Sequence, residues 1–398
     1  MSQSKMSIEK LYCVAYGLYV AGMICGQTLL PISSTIRHFT IGLGCGLLVM
    51  KMMIDLIEHS KLSYLRIAVY LSFLLILSLA FVSVRSNSEY ELLGSVIFIF
   101  GAYDVNYKSI LKTFIWVTTS ILAIMLVAYL LGAIGDGTIQ RTTSSGSARI
   151  TFGYRSATDL VQLVMYILLA DIVLWFEKKG IIWWRIVIYL IIGTIGWVFT
   201  DSRLASVSIY MLIPLLLVLK YLNIDHSNKI LSSTLKYLFE ICLSVSVVIE
   251  NMFMTHNYEV LNRFDTFSSA RLTNTEIGIK LFGYSIFGQD IYTRILQFWS
   301  GWFYIDSSYY TFLMEYGIAL LICAAVMYTI TIKKELRKGD IVISIALGIA
   351  ALDSLICREY FLIEYNVFLL ALLAKTNDFE NYKFDSFATL INSEHNTK

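Results

Sequence analysis

Charge is scarce in this chain: only 15% of its 398 residues are Asp, Glu, Lys or Arg, while 57% are hydrophobic. Together with a mean hydropathy of +0.68, that excludes a water-soluble globular protein, which keeps about a quarter of its residues charged. Proline occurs twice, at Pro31 and Pro214, leaving no Pro-rich linker between domains, and neither an internal repeat nor a low-complexity tract is present. The six cysteines (Cys13, Cys25, Cys45, Cys242, Cys323, Cys357) fall in separate apolar runs without CxxC or Cys/His spacing. They read as small core residues rather than a disulfide or metal framework. No Asp-x-Asp element stands in a plausible outer loop and no His/Cys/Asp cluster has ligand spacing, so neither a metal nor another cofactor is predicted.

What is abundant is the apolar run. Stretches of about 20 residues, the length that crosses roughly 30 Å of hydrocarbon as a helix, recur from Leu11 to Lys375. They predict an all-α polytopic integral membrane protein of about twelve transmembrane helices. The spans fall at 11–30, 36–57, 65–84, 91–106, 111–132, 157–176, 181–200, 204–222, 233–253, 307–331, 340–356 and 360–374, the fourth, eleventh and twelfth being short. The first run lacks a small-residue cleavage site and is followed by further spans, so it is expected to stay as a helix. The chain 1–398 reads as a single membrane domain. Two connections exceed what a turn needs, a first outer loop at 133–156 and a large outer loop at 254–306, and long loops in compact folds are usually functional.

Placing both termini on the cytoplasmic side gathers Lys5, Lys10, Lys61, Arg66, Lys108, Lys112, Lys178, Lys179, Lys229, Lys333, Lys334, Arg337 and Lys338 inside, as the positive-inside rule requires. The opposite side then holds Arg37, Arg85, Arg141, Arg149, Arg155, Arg203, Arg263, Arg271, Arg294 and Arg358 with one lysine, Lys280. Chance and topology are one account of this asymmetry. The functional account is an anion-binding outer face, because a guanidinium is weakly hydrated, stays charged and grips phosphate with two parallel hydrogen bonds. A diphosphate at the membrane surface fits that chemistry.

The segment TDSR, 200–203, lies at the outer turn between two antiparallel apolar runs. An arginine at the bilayer centre costs about 2.5–3.5 kcal/mol, less toward the interface. Arg203 is therefore either a snorkelling interfacial arginine paired with Asp201 or a group kept for a ligand.

Four spaced pieces in order resemble the Wzy-type O-antigen and capsular polysaccharide polymerases of the O-antigen ligase-like superfamily. They are SARITFGYRSATDL at 147–160, TDSR followed at once by a helix rich in small residues, RFDTFSSARL at 263–272 followed by LFGYSIFG, and YIDSSYYTFLMEYGI at 304–318. Together they cover about residues 130–330. Ala270 stands where the family often has Gly, and Arg155 and Ser156 stand where an Asn-containing pair is common. Ligases of this group resemble one another in a His before the penultimate helices, and here Asp306 holds that place, which favours the polymerase.

The resemblance implies a glycosyltransferase on the outer face of a bacterial cytoplasmic membrane, acting on undecaprenyl-diphosphate-linked oligosaccharide repeat units in exopolysaccharide biosynthesis. Its catalytic candidates are Arg203 and Arg271, which would stabilise charge on the leaving diphosphate, and Asp306, which would orient or deprotonate the acceptor hydroxyl. Asp306 has a second reading as the N-cap of the following helix. Arg149, Arg155, Arg263, Asp201 and Tyr309 are the substrate-binding candidates. Partners would be the lipid-linked substrates, membrane lipids, and flippase and chain-length regulator proteins, with no nucleic acid. An O-antigen ligase-type transferase and a non-enzymatic transporter or flippase, with Asp171, Glu240, Glu315, Asp353 and Glu364 as relay groups, stand as alternatives. In a background without native cysteines, a cysteine at Ser145 should react with an impermeant thiol reagent in intact cells; labelling only after permeabilisation would reverse the topology.

Overall fold

The computed structural model describes residues 3–58, 64–87, 90–137, 149–179, 183–221, 229–256, 258–298 and 303–376. Among them the chain is all-α, with two isolated bridges, Thr28 to Tyr154 and Asn106 to Lys375, in place of any sheet. Nine helices follow one another: α1 Gln3–Gln27, α2 Ser34–Glu58, α3 Tyr64–Asn87, α4 Glu91–Gly101, α5 Tyr107–Leu130, α6 Ala157–Lys179, α7 Trp183–Val198, α8 Arg203–Tyr221 and α9 Lys229–Thr255. Then come α10 Glu259–Phe267, α11 Arg271–Phe282 and the short α12 Tyr292–Ile295, which make up the large loop. A turn α13 Ser308–Tyr310, a π-helical turn Thr311–Tyr316, α14 Ile318–Lys338 and α15 Ile341–Asp353 complete the helices. Among the described residues, six helices are long and apolar enough to cross a membrane, within α1, α2, α3, α5, α6 and α9.

Local chemistry sets the boundaries. Asn106 caps α5 by accepting from Lys108 N at 2.9 Å and Ser109 N at 3.4 Å. Asp340 does the same for α15 toward Val342 and Ile343, both at 3.1 Å, satisfying amides that have no partner within the helix. Helix α14 ends on Arg337, Lys338 and a left-handed Gly339, cations and a conformation that suit a helix C-terminus.

The later spans differ from their sequence expectation. The fourth is an α4 of 11 residues and the eleventh an α15 of 13. The tenth, expected as one helix over 307–331, breaks at Gly317, whose φ is 101°. A Cβ there would meet Gly288 N and Ile286 O at 2.6 Å, so only glycine admits the loop that repairs the break. That loop donates Ser285 N to Leu313 O at 2.9 Å and Gln289 N to Glu315 O at 3.0 Å.

The twelfth, 360–374, contains no α-helix. It is two 3-10 turns, Glu359–Phe361 and Val367–Leu372, buried almost throughout. Apolarity alone predicted a helix, but non-helical backbone survives at membrane depth where protein, not lipid, surrounds it. Neighbours supply the missing donors: Tyr16 OH bonds Ile363 O at 2.8 Å, and Asn366 Nδ2 bonds Tyr360 O at 2.8 Å. Lys334 Nζ donates to Ala371 O at 2.8 Å, Leu372 O at 3.2 Å and Ala374 O at 2.8 Å. Leaving such carbonyls unmet costs about 1–3 kcal/mol each. Lys334→Met should therefore lower the melting temperature in detergent, whereas Lys333→Met, on the exposed face, should not; equal melting of both variants would remove the clamp.

Candidate functional site

One end of the helix array opens into a cavity of about 900 Å³. Its wall is built from the end of α1, the starts of α2, α4, α6 and α8, the α10–α11 turn, residues 304–306 and residues 358–365. Six arginines, Arg37, Arg149, Arg155, Arg203, Arg271 and Arg358, line it together with Asp159, Asp201, Asp306, Glu359 and Glu364.

The turn carrying TDSR is a tight reversal. Thr200 Oγ1 and Ser202 N both bond Gly196 O, at 2.5 and 3.2 Å, and Asp201 between them sits at φ 47°. Asp tolerates that left-handed conformation better than most residues. Ser206 N bonds Ser202 O at 2.9 Å, so α8 starts at once and projects Arg203 beside Asp201. Arg203 Nε donates to Asp201 Oδ1 at 2.9 Å, and its guanidinium lies 5.7 Å from the Phe267 ring centroid.

Arg149 reaches the same carboxylate from another direction, with Nη2 3.5 Å from Asp201 Oδ2. Its strand-like segment is pinned by Ile150 N to Phe199 O at 3.0 Å, Thr151 N to Asp136 Oδ1 at 2.8 Å and Leu29 N to Gly153 O at 2.8 Å. Arg155 N then bonds Gln27 O at 2.8 Å, which fixes Arg155 at the rim. Residues 138–148, with Arg141 and the Ser147 and Ala148 that open the first quoted piece, lie outside the described residues.

Arg271 opens α11, and its setting needs a helper. The two residues before it, Ser269 and Ala270, are both left-handed, at φ 66° and 64°, and Ala270 has no side chain with which to cap the helix. Asp265 caps instead, accepting from Leu272 N at 2.8 Å, Thr273 N at 3.2 Å and Thr273 Oγ1 at 2.6 Å. Arg271 Nε then lies 3.4 Å from Asp306 Oδ2. Burial disfavours this cation most, yet the acids facing it, Asp306 foremost, together outweigh that and hold the guanidinium above its ordinary pKa. The N-cap of α13 is Ser307, so the Asp306 carboxylate serves Arg271 rather than the helix start. Arg358 completes the ring, donating to Tyr292 OH at 3.3 Å and lying 5.2 Å from the Tyr304 centroid. Burial pushes the Tyr304 phenol well above its usual pKa, so it lines the wall as a neutral ring.

Six of the eight residues singled out by sequence, Arg149, Arg155, Asp201, Arg203, Arg271 and Asp306, thus meet at one cavity. Two do not. Arg263 is 78% exposed on α10, paired with Glu259 one turn away. Tyr309 is fully buried in the core, its OH donating to Ala351 O at 2.8 Å and its ring 5.0 Å from Phe239. Sequence reasoning missed Asp159, Tyr304, Glu359 and the capping Asp265, which carry no spacing signal. Arg37 and Arg358 were legible only as members of the arginine-rich side.

Two donors, Arg149 Nε and Arg271 Nη1, are buried with no hydrogen-bond partner within the protein. Buried charged donors of this kind call for an anionic acceptor. Among the described residues no group of three His, Cys, Asp or Glu is arranged to hold a metal ion. The chain matches no family model, no curated protein and no solved structure. Asp265→Ala should cost about 1–2 kcal/mol of stability through the lost cap and loosen Arg271, while Arg263→Ala should leave melting unchanged; the reverse order in a thermal melt would overturn this account of the α11 turn.

Proposed function

We propose that the chain is a membrane glycosyltransferase that polymerises undecaprenyl-diphosphate-linked oligosaccharide repeat units on the outer face of a bacterial cytoplasmic membrane. The observation that carries this reading is the convergence of Arg149, Arg203 and Arg271, with Arg37, Arg155 and Arg358, on one cavity at the end of apolar helices. A lipid diphosphate is a dianion or more that stays at the membrane surface, and guanidinium forks match its oxygens in pairs.

In the reaction, a hydroxyl oxygen of the acceptor sugar forms a bond to the anomeric carbon of the donor chain. The bond from that carbon to the diphosphate breaks, its electron pair leaves with the diphosphate, and the hydroxyl proton passes to a base. Negative charge grows on the leaving oxygen, and fixed cations in a poorly hydrated cavity stabilise it without reorganising. Arg203 and Arg271 both line the wall for this, Arg149 supports through Asp201, and Asp306 orients Arg271. Tyr304 and Phe267 offer ring faces for sugars. A ligase-type transferase would use the same donor chemistry and pass the chain to a different acceptor, and a flippase would form no new bond, so products separate the three.

Purified protein in lipid vesicles, given undecaprenyl-diphosphate-linked oligosaccharide, should build a ladder of products. Arg203→Ala should insert normally yet slow extension by roughly a hundredfold or more. Arg271→Lys should lose most activity although its charge is kept, because an ammonium cannot reproduce the fork. If Arg203→Ala lowered expression and activity in proportion, leaving the specific activity of the surviving protein unchanged, the turn would be structural and this reading would lose its best residue.

A further inference from the structure

The cavity holds more carboxylates than its arginines use. Asp201 is taken up by Arg149 and Arg203, and Asp306 by Arg271. Asp159, in the first turn of α6, and Glu359 line the same wall, and neither forms an ion pair with a cation among the described residues. Asp159 is half-buried. Its amide donates to Ser156 Oγ at 3.4 Å, and the Ser156 hydroxyl meets its carboxylate. Glu359 is only 6% exposed, and its Oε2 is buried with no hydrogen-bond partner within the protein. Asp159 is the foremost charged neighbour of Glu359.

Of the two, Asp159 is the more open to the cavity and Glu359 the more deeply buried. Asp159 faces the cations Arg358 and Arg271 and the acid Asp306, whereas Glu359 faces Asp159, Asp353 and Arg358 from deeper in the wall. An ionised carboxylate held free of an ion pair, beside the cavity that takes the sugars, is what proton removal from a hydroxyl requires. Asp306, committed to Arg271, is not so placed.

Resting on the glycosyltransferase reading, we infer that Asp159 is the catalytic base that receives the acceptor hydroxyl's proton. As the acceptor oxygen bonds the anomeric carbon, its proton moves to the Asp159 carboxylate. The electron pair of the breaking bond leaves with the diphosphate, toward Arg203 and Arg271. Cation and base thus act from different parts of one wall, on the leaving group and on the nucleophile.

The test uses the full-length protein in lipid vesicles, with undecaprenyl diphosphate as the binding probe and undecaprenyl-diphosphate-linked oligosaccharide for the rate. Asp159→Asn should bind undecaprenyl diphosphate as the wild type does and extend chains about a hundredfold more slowly. Glu359→Gln should bind likewise and lose far less rate. Asp159→Asn extending within about threefold of the wild type, or Glu359→Gln losing as much rate as Asp159→Asn, would overturn the assignment. A wild type that binds undecaprenyl diphosphate but builds no ladder would instead remove the polymerase reading itself, so the two failures are told apart.

Discussion

Bringing guanidinium groups together where water is scarce is the constraint on which this site depends. Six arginines share one cavity wall, and like charges in a poorly hydrated space repel more strongly than at an open surface. The chain relieves this by placing an acid or an aromatic face at the inner ones. Asp201 lies between Arg149 and Arg203, Asp306 stands against Arg271, and Arg358 rests over Tyr292 and Tyr304. Arg149 Nε and Arg271 Nη1 remain without a hydrogen-bond partner within the protein, so these two cations are held in place and still able to donate.

Holding them there requires backbone that regular helices do not provide. Of the described non-glycine residues with positive φ, Asp104, Phe152, Asp201, Ser269 and Ala270, all but Asp104 lie within three residues of a cavity arginine. Such conformations cost roughly 1–3 kcal/mol each and persist only where the surroundings over-determine them. The surroundings do so with side-chain acids and backbone carbonyls: Asp136 holds the segment of Phe152, Gly196 O holds the turn of Asp201, and Asp265 holds the turn of Ser269 and Ala270. The strain collects where the cations are aimed.

Long apolar helices were legible because hydropathy measures them directly: α1, α2, α3, α5, α6 and α9 fall where the runs predicted. The later elements were not, since apolarity reports burial and does not separate a lipid-facing helix from a protein-buried irregular segment such as 359–372. Site residues divide along the same line. Arg149, Arg203 and Arg271 were visible from their side of the chain and from quoted pieces, and the structure gathers them. Tyr309 was chosen from the same kind of piece and turns inward to the core, because two residues after Asp306 the chain is already helical and the ring meets Phe239. Asp159 and Glu359 reach the same wall only through folding, at a separation no local pattern encodes.

The irregular last apolar segment has a reason in the cavity itself. Arg358, Glu359, Leu362, Glu364 and Tyr365 all line the wall. On a straight α-helix, at about 100° per residue, positions 358, 362 and 365 would share a face while 359 and 364 would point well away from it. Unwinding the segment lets one stretch of chain present a cation, two acids and a phenol to the same space. The backbone groups freed by unwinding must then be met from elsewhere. Tyr16, Asn366 and Lys334 meet them from within the fold, and Tyr154 ties Tyr365 to the Arg155 segment through a 3.1 Å contact between hydroxyls. The deepest departure from regular structure is thus where the cavity draws its most varied chemistry, and the surrounding helices are arranged to tolerate it.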